Sequence, residues 1–178
     1  MNERDAELLI AEAIPRTAGV WADVGAGDGT FTRALLHLLG PGSRIYAIDH
    51  NRTALARLAR QTDGMSGSVI PVDADLAHPF ELPGNARPQL DGVLFANSLH
   101  YFREPADLLG RLVAWLGPDG RVVIVEYDRR SANRWVPYPL PRSRLPDLLR
   151  RAGLKPPTIT AERPSAYGGT MYVAVAER

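Results

Sequence analysis

The chain of 178 residues contains no cysteine, which excludes disulfides, thiolate metal sites and a cysteine nucleophile together. Lysine is almost absent as well. Lys155 is the single lysine among 21 basic residues, the bias of a GC-rich and hence bacterial genome. No apolar run is long enough to span a bilayer, and the opening Met1-Asn2-Glu3-Arg4-Asp5 lacks the apolar core of a secretion signal. A net charge of +1 gives no bulk attraction to nucleic acid or to a membrane surface. What remains is a soluble, cytoplasmic protein, expected to form one domain over residues 1–178 with a core of its own.

The most informative stretch runs from Val20 to Phe31. Val20-Trp21-Ala22-Asp23-Val24 reads as a buried strand with an acid near its end, followed by Gly25-Ala26-Gly27-Asp28-Gly29. Phe31, Ala34, Leu35, Leu38 and Leu39 then recur on one helical face, and Gly40-Pro41-Gly42 stops the helix. Glycines at such a strand-to-helix turn let the backbone bend sharply and approach a ligand with no Cβ between them. Dinucleotide sites use G-x-G-x-x-G with pyrophosphate at the helix start. Here the spacing is G-x-G-x-G, and Asp23, Asp28 and the later Asp49 stand around the loop. Phosphate would meet carboxylates there, whereas a cationic ligand with a ribose diol would gain from them.

Asp23-Val24-Gly25-Ala26-Gly27-Asp28-Gly29 resembles the first motif of the class I S-adenosylmethionine-dependent methyltransferases. The resemblance extends over nearly the whole chain through "L-G-P-D-G-R-V-V-I-V-E" at residues 116–126 and Ala152-Gly153-Leu154. It implies an α/β, Rossmann-like doubly wound sheet of seven strands in the order 3-2-1-4-5-7-6, with strand seven antiparallel. It also implies S-adenosylmethionine as cofactor, no metal, and cofactor contacts at Asp23, Gly25, Ala26, Gly27 and Gly29.

Along the chain, residues 2–14 read as an amphipathic helix ended by Pro15, lying over the cofactor or simply covering the sheet. The second strand, residues 44–48, ends at Asp49, 24 positions beyond Gly25 and close to the roughly 20-residue offset of a ribose-binding acid. The resemblance places His50 beside the adenine, with a partly exposed loop residue as the plain alternative and a catalytic base as the less favoured one. A helix over residues 51–61 turns Arg52, Arg57 and Arg60 to solvent. Pro71 places the third strand at the sheet edge. After it the resemblance assigns Asp73 to the adenine amino group and the Ala74 N–H to a ring nitrogen; Asp75 competes, and one of these acids could cap a turn. Residues 78–88 read as loop.

The fourth strand, residues 90–96, is apolar throughout, as in a parallel sheet covered on both faces. Asn97-Ser98-Leu99-His100-Tyr101-Phe102 follows, where the family has its methyl-transfer point. Asn97 is expected at the cofactor, with His100 and Tyr101 as candidate catalytic residues. The missing proline argues against amino-directed DNA enzymes, which carry D/N-P-P-F/Y here to grip a flipped-out base. The missing cysteine excludes cytosine-C5 enzymes. Pro105 opens a helix, Gly117-Pro118-Asp119-Gly120 signals a turn, and residues 121–126 form strand five. A helix over residues 143–152 and a closing hairpin around residues 164–169 complete the chain.

Residues 127–142 should choose the substrate, because they follow strand five at the rim where α/β folds bind ligands. Arg134, Trp135 and Tyr138 are the substrate-binding candidates, suited to an anionic or planar acceptor or to unstacked RNA bases. A solvated, proline-stiffened connection is the plain alternative. In-line methyl transfer needs alignment more than acid–base help, and His100 serves as base only if the acceptor carries a proton. The expected activity is methyl transfer to a small-molecule acceptor, with no membrane partner and with a homodimer left open. The alternatives are a methyltransferase acting on RNA or protein, a cofactor-binding module without chemistry, and a nicotinamide dehydrogenase.

Overall fold

The computed structural model describes residues 1–84, 89–165 and 169–178. Seven strands form one sheet: β1 (Val20–Val24), β2 (Arg44–Asp49), β3 (Ser68–Asp73), β4 (Leu90–Ala96), β5 (Leu116–Asp128), β6 (Thr158–Pro164) and β7 (Thr170–Glu177). Their order is β3-β2-β1-β4-β5-β7-β6, with β7 antiparallel to both neighbours, as the resemblance implies. Among the described residues five α-helices cover it: α1 (Glu3–Ile10), α2 (Thr30–Leu39), α3 (Arg52–Thr62), α4 (Pro105–Val113) and α5 (Leu145–Arg151).

Side chains alternate across the strands and so divide the core in two. Trp21, Ile45, Leu94 and Val123 pack with the apolar faces of α1 and α2, and Ala47 packs on Leu55 and Leu58 of α3. Ala22, Tyr46, Phe95 and Val122 on the other face pack with α4 and α5. Pro71 lies in β3 at the sheet edge, where a missing N–H costs no ladder bond.

Three boundaries differ from expectation. The helix expected over residues 2–14 ends at Ile10 and continues as turns, with the Ala13 N–H closing on the Ile10 carbonyl at 2.9 Å; the chain must leave helical geometry before Pro15. Gly117-Pro118-Asp119-Gly120 does not separate β5 from α4 but sits inside β5. Leu90 pairs with Leu116 and Gly92 with Arg121, so the turn-forming residues are extruded as an irregularity while pairing resumes. The last helix begins at Leu145, after a 3₁₀ turn Arg142–Arg144. The loop expected over residues 78–88 and the hairpin turn expected around 164–169 lie partly outside the described residues.

Sheet order reverses between β1 and β4, and ligands in open α/β sheets bind at the carboxyl ends of strands at such a point. The glycine loop after β1 and the Asn97-Ser98 turn after β4 are thereby neighbours. The Ser98 hydroxyl joins them by donating to the Val24 carbonyl at 2.6 Å.

Candidate active site

The glycine loop turns its donors inward. The Gly25 and Ala26 N–H groups donate to the Ile48 carbonyl at 2.8 and 3.1 Å, Gly27 to Asp49 Oδ2 at 2.8 Å, and Gly29 to the Ala26 carbonyl at 2.9 Å. A pyrophosphate would need those N–H groups, so the loop is poorly suited to a dinucleotide. Its two later glycines differ in their surroundings. Gly29, at φ +77°, has Leu58 where a Cβ would go, whereas Gly27, at φ +52°, has nothing within 4 Å of that position. The loop therefore presents an open, side-chain-free edge at Gly27, the shape that close approach of a nucleoside requires.

Asp49 ends β2 beside this edge. Each carboxylate oxygen accepts one backbone N–H, from Gly27 and from Asn51 at 2.8 Å each, which fixes the group and leaves further lone pairs for a diol. Asp23, expected at the ligand, lies instead beneath the loop surface. Its carboxyl is 1% exposed beneath the loop and accepts the Thr32 hydroxyl at 2.6 Å. Burial pushes that carboxyl up to about 7; the Thr32 bond offsets this in part, and the charge of Asp49 adds to it. Asp23 thus braces the start of α2 against β1.

Two further acids are paired by arginines expected to face solvent alone. Arg57 reaches Asp28 at 2.7 Å, and Arg52 reaches Asp73 at 2.5 Å. The acidic surround inferred from the loop's sequence is thinned accordingly, and the inward N–H groups, more than repulsion, disfavour phosphate. Asp75 is the turn-capping acid: it accepts the Ala77 N–H at 2.9 Å and lies 3.0 Å from His78 Nδ1, contacts that hold its pKa below the usual carboxylate range. Arg52 holds Oδ2 of Asp73, so Oδ1 is the oxygen this acid could offer at the rim. The Ala74 N–H, assigned to a ring nitrogen, donates to the Asp49 carbonyl at 3.1 Å and is occupied within the protein. The His50 side chain is 85% exposed, with Nδ1 3.6 Å from Asp49, and closes nothing over the loop.

Across the switch point, Asn97 is the one non-glycine residue with positive φ (+55°) among the described residues. Its N–H donates to the Val125 carbonyl at 2.9 Å, and its Oδ1 is buried with no hydrogen-bond partner. A left-handed asparagine holding an orphaned acceptor costs stability, which is characteristic of a site built for a donor from outside. It borders two hollows. One, of about 380 Å³, lies toward Met1, Asp5 and Met171; the other, of about 350 Å³, is lined by His100, Tyr101, Tyr127, Arg129, Asn133, Trp135 and Val136.

In the second hollow, His100 is 2% exposed and its Nδ1 lies 2.7 Å from Oε2 of Glu126, which is itself fully buried. Glu126 Oε1 also accepts the His100 N–H at 3.1 Å. Glu126 thus holds His100 by its backbone N–H and by Nδ1, and Nε2 is the ring nitrogen left for the hollow. Sequence reasoning missed Glu126 because it looks like the last residue of a buried strand; an acid ending an otherwise apolar run was the available signal. Tyr101 is 57% exposed, with its ring centroid 4.5 Å from that of His100.

Among the expected substrate residues, Trp135 lines this hollow. Arg134 does not; its guanidinium lies 5.1 Å over the Trp135 ring centroid. Nor does Tyr138, whose N–H donates to the His100 carbonyl at 3.0 Å and ties the segment to the 3₁₀ turn Leu99–Tyr101. Arg129 and Asn133 were not singled out from the sequence as site residues. No group of His, Asp or Glu among the described residues is placed to hold a metal ion, and no described helix is long and apolar enough to cross a membrane.

A sequence model of the family described as "Methyltransferase domain" matches residues 22–122. The chain is 30% identical over 109 residues to the ubiquinone/menaquinone biosynthesis C-methyltransferase UbiE of Pseudomonas fluorescens, covering 60% of this chain and 41% of that protein. It is 40% identical over 63 residues to the ribosomal RNA small subunit methyltransferase H of Verminephrobacter eiseniae, covering 35% of this chain and 19% of that one. The chain thus spans less than half the length of these curated relatives. A solved structure similar to it is the Burkholderia thailandensis 1,6-didemethyltoxoflavin-N1-methyltransferase with bound 1,6-didemethyltoxoflavin and S-adenosylhomocysteine. The TM-score is 0.72 at 28% identity, over 99% of this chain and 77% of that one.

Proposed function

We propose that this chain, which belongs to the class I S-adenosylmethionine-dependent methyltransferases, methylates a small-molecule acceptor in the hollow above β4 and β5. The observation that carries this reading is the His100–Glu126 pair set into a concavity of about 350 Å³, a volume suited to a small molecule. The Burkholderia relative, with its bound small acceptor, supports the same class.

When bound, S-adenosylmethionine supplies a methyl group already activated on a sulfonium. Asp49 would receive the ribose hydroxyls, the bare edge at Gly27 would admit the nucleoside, and Asp73 would reach the adenine rim. The unpartnered Oδ1 of Asn97 would accept from the ammonium at the methionine end. The acceptor's reacting atom would sit beside Asn97 and Tyr127, which border both hollows. His100 Nε2 takes the proton that an acceptor hydroxyl or N–H must lose, and Glu126 holds the ring so that Nε2 keeps its aim. Glu126 is a positioning residue. Tyr101 and Tyr127 orient the acceptor and exclude water from its face.

The test offers purified protein methyl-labelled S-adenosylmethionine together with either a small-molecule extract or bulk RNA. Label in the small-molecule fraction is the expected result. Label confined to RNA would overturn the acceptor class and favour the reading suggested by the ribosomal RNA relative. Cofactor binding with no transfer to either pool would leave a binding module.

A further inference from the structure

Four arginines, Arg129, Arg130, Arg134 and Arg142, belong to the segment beyond β5, and of these Arg129 is the one that lines the acceptor hollow. Arg142 donates to Asp128 Oδ2 at 2.7 Å and also pairs with Glu162, and Arg134 lies over the Trp135 ring. Arg129 differs. It is half-buried and lines the acceptor hollow, and its side chain makes one hydrogen bond, from Nε to the Ser131 carbonyl at 2.9 Å, with no carboxylate partner among the described residues. Among the described residues no carboxylate lines the hollow, since Glu126 lies buried behind His100. A guanidinium lining a hollow without acids is matched by an anion, and its remaining N–H groups suit a carboxylate.

The wall beside it is aromatic and already ordered. Asn133 Oδ1 accepts the Trp135 and Val136 N–H groups at 2.9 and 2.7 Å, and the Asn133 N–H returns to the Val136 carbonyl at 3.1 Å. This small closed turn presents the Trp135 ring, 66% exposed, at the mouth, so little ordering remains to be done when a flat ligand stacks there.

We propose that Arg129 and Trp135 form a recognition site for a planar ring bearing an anionic group, so that the acceptor is an aromatic or conjugated acid. This deepens, and rests on, the assignment of the hollow to the acceptor. Trp135 supplies the stacking face, Arg129 the anion contact, and His100 Nε2 meets the ring's protonated hydroxyl or N–H.

The experiment compares two rings differing only in the carboxylate, 6-hydroxy-2-naphthoate and 2-naphthol, by calorimetry on protein loaded with S-adenosylhomocysteine. The acid should bind about tenfold or more tightly than the neutral ring. Arg129→Gln should abolish that preference, Arg129→Lys should keep part of it, and Trp135→Ala should weaken both ligands. Equal affinity for the two rings, a preference that survives Arg129→Gln, or no binding of either ring would overturn the proposal. The lysine variant provides the comparison should the glutamine variant not fold. Wild-type binding of S-adenosylhomocysteine is titrated separately, and the two rings are also compared on unloaded protein. A failure of the cofactor reading is thereby distinguished from a failure of this one.

Discussion

Alanine at Gly27 and at Gly29 should have opposite consequences, although both glycines have positive φ in one five-residue loop. At either position a left-handed alanine costs about 1–2 kcal/mol, offset by about 0.4–1 kcal/mol because the unfolded chain loses freedom. At Gly27 nothing else is added, because the new Cβ has no atom within 4 Å. Net destabilisation should stay near 1 kcal/mol, at about the lower end of what single substitutions do. At Gly29 the Cβ would sit 2.2 Å from Leu58 Cδ1, and Leu58 is fully buried against Ala47 and Leu55. Overpacking then adds about 1–3 kcal/mol. Urea unfolding should therefore show Gly29→Ala as the more damaged fold. Calorimetry with S-adenosylhomocysteine should show the reverse, with Gly27→Ala losing about tenfold or more in affinity because the methyl occupies the approach. Undiminished affinity in Gly27→Ala would refute the placement of the nucleoside along this edge, whatever the stability data showed.

Four further substitutions have defined outcomes. The Asp23 carboxyl is raised from 3.8 to about 7 in the folded state, so the native protein holds a proton that the unfolded chain releases. Its contribution is intact below 3.8 and falls as pH rises to about 7, by up to about 4 kcal/mol. Asp23→Asn should flatten that slope in urea titrations between about pH 4 and about pH 7, and a slope parallel to wild type would count against the buried-acid account. His100→Ala should lower kcat about a hundredfold or more with S-adenosylhomocysteine affinity held. Glu126→Gln should lower kcat with little change in KM; an unaltered kcat in either variant would remove the pair from the mechanism. Tyr172→Phe deletes the 2.7 Å bond from its buried hydroxyl to the Leu140 carbonyl, and should cost about 1 kcal/mol in unfolding while raising the acceptor KM.

The framework was legible because its signals are local. The run ending at Val24, the glycine spacing and the apolar face of Ala34, Leu35 and Leu38 each report on neighbours a few positions apart, and they place the loop, Asp49 and the switch point. Pairings over longer separations were not legible. Arg57 and Asp28 stand 29 positions apart, and Arg52 and Asp73 stand 21 apart, so helix periodicity showed arginines facing outward but not the acids they meet. Glu126 hides for the same reason: it lies 26 positions from His100 and only tertiary structure joins them. The acidic loop suggested selectivity by charge. The folded backbone achieves it more by spending its own donors on Ile48 and Asp49, a property that residue types do not encode.

The segment between Asp128 and Arg142 is tied down through Arg142 to Asp128, through Tyr172 to Leu140 and through the Tyr138 N–H to His100, and none of these contacts involves the glycine loop or Asp49. Such an arrangement works as an exchangeable cassette. On the proposed assignment of the hollow to the acceptor, grafting the residues between these ties from a relative should change acceptor preference while S-adenosylhomocysteine affinity stays as it was.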